Sequence, residues 1–168
     1  MSKVVVKGQS LEEIAETVTT EVRQEMEHRA YLAANELRNS ALMVLRGQRS
    51  GRRYKVPGTY RRQRDKATGK MKNGRYYTAS APGEPPAVRT GTFRNSWQPH
   101  AYSSHAFGGS TYWSRIESDV RTDNGQHTLG KILEEGTSRM APRPHHDRIL
   151  EHAEPKIYRI YDKPYFNE

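Results

Sequence analysis

One cluster near the C-terminus contains residue types that bind metal ions. His145, His146 and Asp147 are consecutive, and His152 follows seven residues after His145. Imidazole and carboxylate groups are suitable ligands for transition metals. However, adjacent histidines point in different directions, and no second cluster completes a set of four ligands. We therefore predict that these are surface or interface histidines and that the chain binds no metal.

Other residues give weaker indications of catalysis. Ser96 and His100 could be a nucleophile and its base, but no glycine elbow surrounds the serine and no acid is marked to orient the histidine. Residues 108–110, Gly-Gly-Ser, lack the lysine and helix that follow in a phosphate-binding loop. Glu134 and Glu135 are adjacent, and adjacent carboxylates seldom converge on one substrate. The sequence predicts a protein that is not an enzyme and has no cofactor.

The composition indicates one modest domain, residues 1–168. Only 33% of the residues are hydrophobic, and the absence of cysteine excludes disulfides and thiolate chemistry. There is no run of about eighteen apolar residues, and the N-terminus, where residues 4–6 are Val-Val-Val, lacks the pattern of a signal peptide. We expect a soluble protein that is made in the cytoplasm.

The positive charge is concentrated in one segment. The chain carries a formal charge of +9, but residues 46–75 contain twelve Lys or Arg residues and a single acid, Asp65. That segment therefore carries +11, and the rest of the chain carries −2. A mildly acidic body with one basic segment indicates an anionic partner for that segment.

The first predicted element is a long amphipathic helix. Ser10 and Glu13 have the spacing of a capping box, and Gly47 is a typical helix end. Apolar residues recur between them at steps of three and four, and their stripe is narrow and rich in alanine. Such a stripe is typical of a helix that packs closely on a sheet or on a neighbouring subunit. It comprises Leu11, Ile14, Val18, Val22, Met26, Ala30, Ala33, Leu37, Ala41 and Leu45.

Residues 48–73, the basic arm, combine turn-forming residues with very few large apolar side chains. This pattern predicts a mobile arm or a long hairpin. The arm buries too little apolar surface to offset its ordering entropy, so we expect it to become ordered on a partner, with a solvated loop as the alternative. The candidate docking residues are Arg49, Arg52, Arg53, Lys55, Arg61, Arg62, Arg64, Lys70 and Lys72.

A small antiparallel sheet is predicted after the arm. Residues 75–79 have the composition of a short strand, and residues 112–120 alternate as a half-buried strand does. Between them, a turn at residues 90–91 precedes a strand-like alternation over residues 93–97. Residues 100–110 are small, polar and rich in glycine, which predicts a loop or a hairpin end.

Two helical segments are predicted near the C-terminus. Residues 129–133 have helical spacing, but Gly130 weakens the pattern and Gly136 ends it, so we expect one or two turns. Residues 149–160 predict a second helix that Pro155 limits or kinks. The predicted fold class is α+β: a long N-terminal amphipathic helix packed on a small antiparallel β-sheet, with an extended basic arm and a short C-terminal helix.

Three separated segments carry the most specific signal. We name them the connector segment (residues 79–87, ASAPGEPPA), the Thr-Gly segment (residues 90–96, TGTFRNS) and the late turn (residues 133–144, LEEGTSRMAPRP). Prolines should fix the connector in an extended path, and Gly136-Thr137 should form a turn whose hydroxyl satisfies a backbone group. The residues of these motifs are Pro82, Gly83, Glu84, Pro85, Pro86, Thr90, Gly91, Arg94, Ser96, Glu134, Gly136, Thr137, Met140, Arg143 and Pro144.

Specific roles can be assigned to a few of these motif residues. Gly83 and Gly91 should permit tight turns, because glycine adopts backbone conformations that other residues avoid. Arg94 and Arg143 are candidates for fixed ion pairs, since a guanidinium pairs with a carboxylate in a defined geometry. Ordinary loop punctuation is the alternative, above all for Arg94.

In their order and spacing, the three segments resemble the neck or tail-completion proteins of long-tailed, siphovirus-type bacteriophages. The resemblance covers residues 76–157 and the N-terminal helix but not the basic arm. It implies a small α+β subunit that forms a ring, with a hexamer favoured, at the top of the tail or just below the portal. It also implies neighbouring neck, connector and tail-tube proteins as partners, and a place in the virion after assembly in the host cytoplasm, with no membrane.

A basic nucleic-acid-binding protein is the alternative function. The arm interleaves Lys and Arg with Tyr54 and Tyr60, which could neutralise phosphates and stack on bases. A neck protein would also contact phage genomic DNA, because the genome passes through the ring. We favour protein docking for the arm, since many cations in the channel would slow the passing DNA.

Overall fold

The chain has a mixed α+β fold, which confirms the predicted fold class. The computed structural model describes Gly8 and residues 10–56, 63–64, 67–69, 71–72, 74–106 and 109–165, with the backbone alone at 63–64 and 71–72. Its elements in chain order are α1 (Leu11–Arg46), β1 (Arg53–Lys55), β2 (Gln63–Arg64), β3 (Met71–Lys72), β4 (Tyr76–Thr78), α2 (Thr92–Asn95), β5 (Gln98–Ala106), β6 (Gly109–Glu117), α3 (Leu129–Glu135) and α4 (His146–Tyr161). The N-terminal Val-Val-Val stretch lies outside the described residues.

Helix α1 begins and ends where the sequence predicts. Ser10 Oγ accepts a hydrogen bond of 3.2 Å from the backbone N–H of Glu13, and the Glu13 carboxylate accepts one of 2.9 Å from the Ser10 N–H. This reciprocal pair is a capping box. Gly47 follows the last residue of α1. With 36 residues, at a rise of about 1.5 Å each, the helix is about 54 Å long.

The core lies between the C-terminal half of α1, helix α4 and the β5–β6 hairpin. Alanines on α1 let these elements approach closely, as the predicted alanine-rich stripe requires. Two polar contacts fix the approach: Ser114 Oγ donates to the Ala30 carbonyl at 2.7 Å, and Arg38 Nε donates to the Trp97 carbonyl at 3.1 Å. The buried hydrophobic residues are Ala30, Ala33, Ala34, Ala41, Leu45, Trp97, Ile149 and Ala153.

A buried arginine joins the middle of α1 to the end of α4. Arg29 is only 2% exposed, and its guanidinium donates to the carbonyls of Tyr161, Lys163 and Pro164 at 2.7 to 3.2 Å. Its Nε also pairs with the Glu25 carboxylate at 2.7 Å. One cation therefore satisfies carbonyls at the C-terminus of α4, where the helix dipole favours positive charge.

Replacing this arginine by a hydrocarbon side chain should destabilise the fold. We expect Arg29→Met to lower the free energy of unfolding by about 2 kcal/mol, because the carbonyls lose charged donors. Urea denaturation of the full chain measures the change. The matched control is Arg23→Met, since Arg23 is an exposed arginine on the same helix. Equal stabilities of the two variants would contradict the role assigned to Arg29.

The longest hairpin includes a segment that the sequence places in a loop. Strand β5 pairs antiparallel with β6 from Gln98↔Glu117 to Ala106↔Gly109. The predicted loop over residues 100–110 is therefore wrong, whereas the alternative of a hairpin end is confirmed, because the hairpin closes within this segment. The small polar residues of β5 give no apolar alternation that would indicate a strand in the sequence. The strand is stabilised by pairing with β6 and not by an apolar face of its own. The predicted strand over residues 112–120 is confirmed as β6 up to Glu117, and its even-numbered residues face the body.

The segment over residues 93–97 is another correction. It forms the short helix α2 instead of a strand, after Gly91 in a left-handed conformation with φ +89°. Phe93, Asn95 and Trp97 alternate as strand residues do, but Phe93 and Trp97 are also four residues apart, which is the spacing of one helical turn. That spacing brings the rings of Phe93 and Trp97 together edge to face, 5.6 Å apart. Packing of these rings on the core therefore favours the helical alternative.

The described parts of the basic arm form nested antiparallel pairs. Strand β1 pairs with β4 through Arg53↔Thr78, Tyr54↔Tyr77 and Lys55↔Tyr76. Further out along the chain, β2 pairs with β3. This nesting is the arrangement of a long hairpin, one of the two forms that the sequence predicts, and β4 matches the predicted strand over residues 75–79.

Both predicted C-terminal helices are present. Helix α3 has 7 residues, which agrees with the expected one or two turns. Helix α4 has 16 residues and continues through Pro155 to Tyr161, so the proline does not limit it. Its buried residues, Ile149 and Ala153, are spaced by one helical turn and face α1.

Candidate assembly interface

The connector segment is held in place by a carboxylate that folds back on the chain. Glu84 accepts hydrogen bonds from the Ser50 hydroxyl at 2.6 Å, the Ser50 N–H at 3.1 Å and the Ala81 N–H at 2.8 Å. Gly83, at φ +79°, makes the turn that permits this, as predicted. These hydrogen-bond donors lower the pKa of Glu84 from 4.5 to about 2, and the Ser50 hydroxyl makes the largest contribution.

This carboxylate should make stability depend on pH in the acid range. Because its pKa is lower in the folded chain, its contribution is complete above pH 4.5 and is lost as pH falls toward about 2. We expect Glu84→Gln to flatten the fall in urea midpoint between pH 5 and pH 2, whereas Glu154→Gln, at an exposed acid of α4, leaves it unchanged. Parallel pH profiles for wild type and Glu84→Gln would contradict this.

Arg49 is used inside the chain, although the sequence groups it with the docking residues. Its guanidinium donates to the Val44 carbonyl at 2.8 Å and to the Pro86 carbonyl at 3.2 Å. Burial lowers the pKa of Arg49, and the nearby Glu84 carboxylate opposes that change. Arg49 thus ties the end of α1 to the connector segment.

The late turn is bonded to the connector segment. Arg143 donates to the carbonyls of Ser80 and Ala81, and the Gly83 N–H donates to the Pro142 carbonyl at 3.1 Å. Arg148, at the start of α4, donates to the Gly83 carbonyl at 3.1 Å. Segments about 60 residues apart in the sequence therefore form one rigid junction.

The late turn itself is a tight reversal. Thr137 N–H donates to the Met140 carbonyl at 2.8 Å, and the Met140 N–H returns a bond of 3.2 Å. The Thr137 hydroxyl accepts from the Arg139 N–H at 3.2 Å, which confirms the predicted turn. Gly136 lies at φ +77° and ψ −170°, a conformation essentially restricted to glycine.

Glu134 caps the N-terminus of α4. Its Oε2 accepts from the backbone N–H groups of His145 at 2.9 Å and of His146 at 3.3 Å. The same oxygen lies 2.7 Å from Nδ1 of His145. A carboxylate in this place satisfies free N–H groups and complements the helix dipole.

His145 is completely buried, at 0% exposure, so its prediction as a surface or interface residue is wrong. Its ring packs edge to face against Phe93 and Trp97, at 5.6 and 5.9 Å between centroids. Burial lowers the pKa of His145, although the Arg143 carbonyl and Glu134 oppose the shift. Nδ1 of the ring faces two acceptors, the Glu134 carboxylate at 2.7 Å and the Arg143 carbonyl at 3.1 Å, and it therefore carries a hydrogen.

Glu134, His145 and His146 place one possible metal ligand each within 4.8 Å of one another. In this structure Glu134 Oε2 accepts the two backbone N–H groups of the helix cap and lies 2.7 Å from His145 Nδ1. The absence of a metal stays a prediction. His146, at 54% exposure, is a surface residue as predicted.

The Thr-Gly segment is bonded to Ser118, the residue that follows β6. The Ser96 hydroxyl donates to the Phe93 carbonyl at 2.8 Å and lies 2.6 Å from the Ser118 hydroxyl. Arg94 Nε donates to the side chain of Asn95 at 3.2 Å. Within the described part of the chain, neither Arg94 nor Arg143 pairs with an acid, so the predicted ion pairs are wrong.

A cleft of about 530 Å³ lies where the three segments meet. It is lined by residues of each segment and by Leu45 at the end of α1.

Comparisons of the chain with protein-family models, curated proteins and solved structures found no match. Across the described residues, no helix has the length and apolar content required to cross a bilayer.

The described docking residues of the arm lie on an exposed hairpin. Arg52 stacks on Tyr54 and Arg53 on Tyr76, at 5.7 and 4.7 Å from the ring centroids. Lys55 Nζ lies 5.8 Å from the Tyr76 ring. Arg61, Arg62 and Lys70 lie outside the described residues, and at Arg64 and Lys72 only the backbone is described.

The N-terminal half of α1 is the part of the surface that differs most from expectation. The apolar stripe continues along it, yet Leu11 is 86% exposed, Ile14 43% and Val18 42%. No described residue covers these three side chains, whereas the Tyr165 hydroxyl donates to Met26 Sδ further along the stripe. Sequence periodicity correctly predicts the stripe but not where the body that covers it ends.

Proposed function

We propose that this protein is a structural protein of the bacteriophage neck, which forms a ring that completes the tail and/or joins it to the DNA-filled head. The observation that carries the proposal is the convergence of the three motif segments on one cleft. The connector segment, the Thr-Gly segment and the late turn define the resemblance to neck proteins. Arg143 and Gly83 bond the late turn to the connector segment, and the Thr-Gly segment lines the same cleft.

The chemistry of the motif residues fits a structural role. Glu84 and Arg143 use their charges on backbone groups of the chain itself, and Glu134 caps a helix. Groups used in this way hold loops in fixed positions and are not available to a substrate. The protein then acts through surfaces that the rigid junction presents to neighbours, with no catalytic site.

Assembly would proceed by ordering of the docking surfaces. The free subunit stays in solution because its arm is highly charged, and a neighbour in the neck or tail tube then fixes the arm. The completed ring presents a matching surface to the other half of the virion.

Electron microscopy of lysates tests this proposal. A phage with an early stop codon in this gene should accumulate full heads and separate tails, and supplying the chain in trans should restore joined particles. Complementation with a chain that lacks residues 52–76 should fail if the arm is a docking element. Joined, normal particles from the stop-codon phage would overturn the proposal.

Nucleic-acid binding is the second candidate, because the stacked Arg and Tyr side chains of the β1–β4 pair suit phosphates and bases. Binding through several phosphates weakens steeply as salt rises. We expect little binding to random duplex DNA even at low salt. Tight binding at low salt that falls steeply between 50 and 200 mM salt would instead favour the DNA-binding function.

A further inference from the structure

The N-terminal half of α1 begins with an apolar stripe that no described residue covers. Leu11, Ile14 and Val18 recur at helical spacing on one face, with exposures of 86%, 43% and 42%. The rest of the same stripe, from Ala30 onward, is buried or half-buried against α4 and the β5–β6 hairpin. The N-terminal half of the helix, which we call the projecting half, thus has its core-type face open to solvent at Leu11, Ile14 and Val18, and the body contacts it only near Met26 and Glu27.

This projecting half is strongly acidic. Residues 11–27 contain six glutamates and one basic residue, Arg23. Within the described residues, the carboxylates of Glu12, Glu16 and Glu21 form no salt bridge. The projecting half therefore carries unpaired negative charge, and of these three glutamates Glu21, three residues after Val18, lies beside the apolar stripe.

The β1–β4 hairpin has the complementary combination. Its tyrosines are open, with Tyr54 45% and Tyr76 46% exposed. Arg52 and Arg53 lie over these rings and give the surface a positive charge. Apolar rings could cover the open stripe while the arginines meet the glutamates, which would fix orientation and register.

The two surfaces cannot meet within one chain. Val18 is 28 residues from the C-terminal end of α1, a distance of about 42 Å along the helix. Strand β1 begins seven residues after that end and forms its hairpin there. A contact between the surfaces therefore requires two chains.

We propose that the projecting half of α1 docks on the β1–β4 hairpin of a second copy of this chain. The contact is head-to-tail, because different surfaces of the two copies meet. Repetition of such a contact closes into a ring when the rotation between copies permits it. The inference rests on the proposed ring function and assigns the interface that would build the ring.

Cysteine crosslinking tests the contact directly, since the chain has no cysteine of its own. Val18→Cys and Tyr54→Cys change exposed positions, so the fold should tolerate both. Under mild oxidation, a full-length chain with both changes should give a ladder of disulfide-linked oligomers, whereas a mixture of the two single variants should stop at the mixed dimer. Homodimers of the single variants in equal yield, or the absence of a ladder, would overturn the proposal.

Charge reversal provides the matched control. In the double-cysteine chain, Glu21→Lys should lower the ladder yield several-fold, as should Arg52→Glu. The two changes together should restore the ladder. Glu151→Lys with Glu154→Lys, at exposed acids of α4, should leave it unchanged. Equal losses in the α4 control, or no rescue in the combined chain, would overturn the specific pairing.

The outcome is separable from the neck function. If the stop-codon phage gives unjoined heads and tails but the double-cysteine chain gives no ladder, the neck role is kept and this contact is overturned. If the double-cysteine chain gives a ladder but the stop-codon phage still makes joined particles, the contact is supported and the neck role is overturned.

Discussion

Gly136→Ala should be among the most destabilising single changes in this chain, lowering the free energy of unfolding by about 4 kcal/mol. Gly136 has φ +77° and ψ −170°, a conformation that alanine strongly disfavours. An added Cβ would also lie 2.7 Å from the Met140 carbonyl oxygen and 2.8 Å from the Pro142 nitrogen. Both neighbours are backbone atoms of the late turn and cannot rotate away.

Gly125→Ala separates backbone strain from this collision. Gly125 has a similar φ of +70°, but a Cβ there would meet nothing within 4 Å. We expect a loss of about 1 kcal/mol for this variant, from the left-handed conformation alone. Urea denaturation of both full-length variants measures the difference. If the two losses are equal, the late turn is not the tight reversal described above.

Glu134→Ala should lower the free energy of unfolding by about 3 kcal/mol. The change removes the acceptor for two backbone N–H groups at the start of α4. It also leaves the ring N–H of buried His145 with only the Arg143 carbonyl, at 3.1 Å. The cost therefore combines a lost helix cap with a poorly satisfied buried donor.

The adjacent acid gives the control for this variant. Glu135 is exposed and reaches Lys131 only at 4.0 Å, an exposed pair that contributes little. Glu135→Ala should change the free energy of unfolding by less than about 0.5 kcal/mol. Similar losses for Glu134→Ala and Glu135→Ala in thermal or urea unfolding would refute the capping role.

Local signals allowed the helices to be predicted from the sequence. The ends of α1 follow from Ser10, Glu13 and Gly47, because caps depend on residues a few positions apart. The alternation of β6 and the short length of α3 are local in the same sense. Such elements are stabilised largely by contacts that the sequence displays directly.

Elements that depend on distant partners were mispredicted. Strand β5 is polar on both faces and exists because β6 pairs with it. The segment over residues 93–97 fits both a strand and a helical turn, and packing of Trp97 in the core decides between them. The burial of Trp97 depends on residues that are distant in the sequence, so no local pattern predicts it.

The candidate interface was predicted only in its parts. The turns at Gly83 and Thr137 follow from residue type, but the bonds that Arg143 makes to the connector segment cross more than 60 residues. Burial of His145 could have been suspected from Glu134, since a carboxylate and a histidine often pair. The exposed half of α1 was not foreseeable, because periodicity does not reveal which part of a stripe is covered.

Extract complementation tests the neck function most directly. Lysate from the stop-codon phage, which should hold unjoined heads and tails, is mixed with the purified full-length chain, and infectious particles are counted. The titre should rise by several orders of magnitude with the wild-type chain and much less with the Gly136→Ala variant. A stop-codon lysate that is already fully infectious without added protein would contradict the neck function.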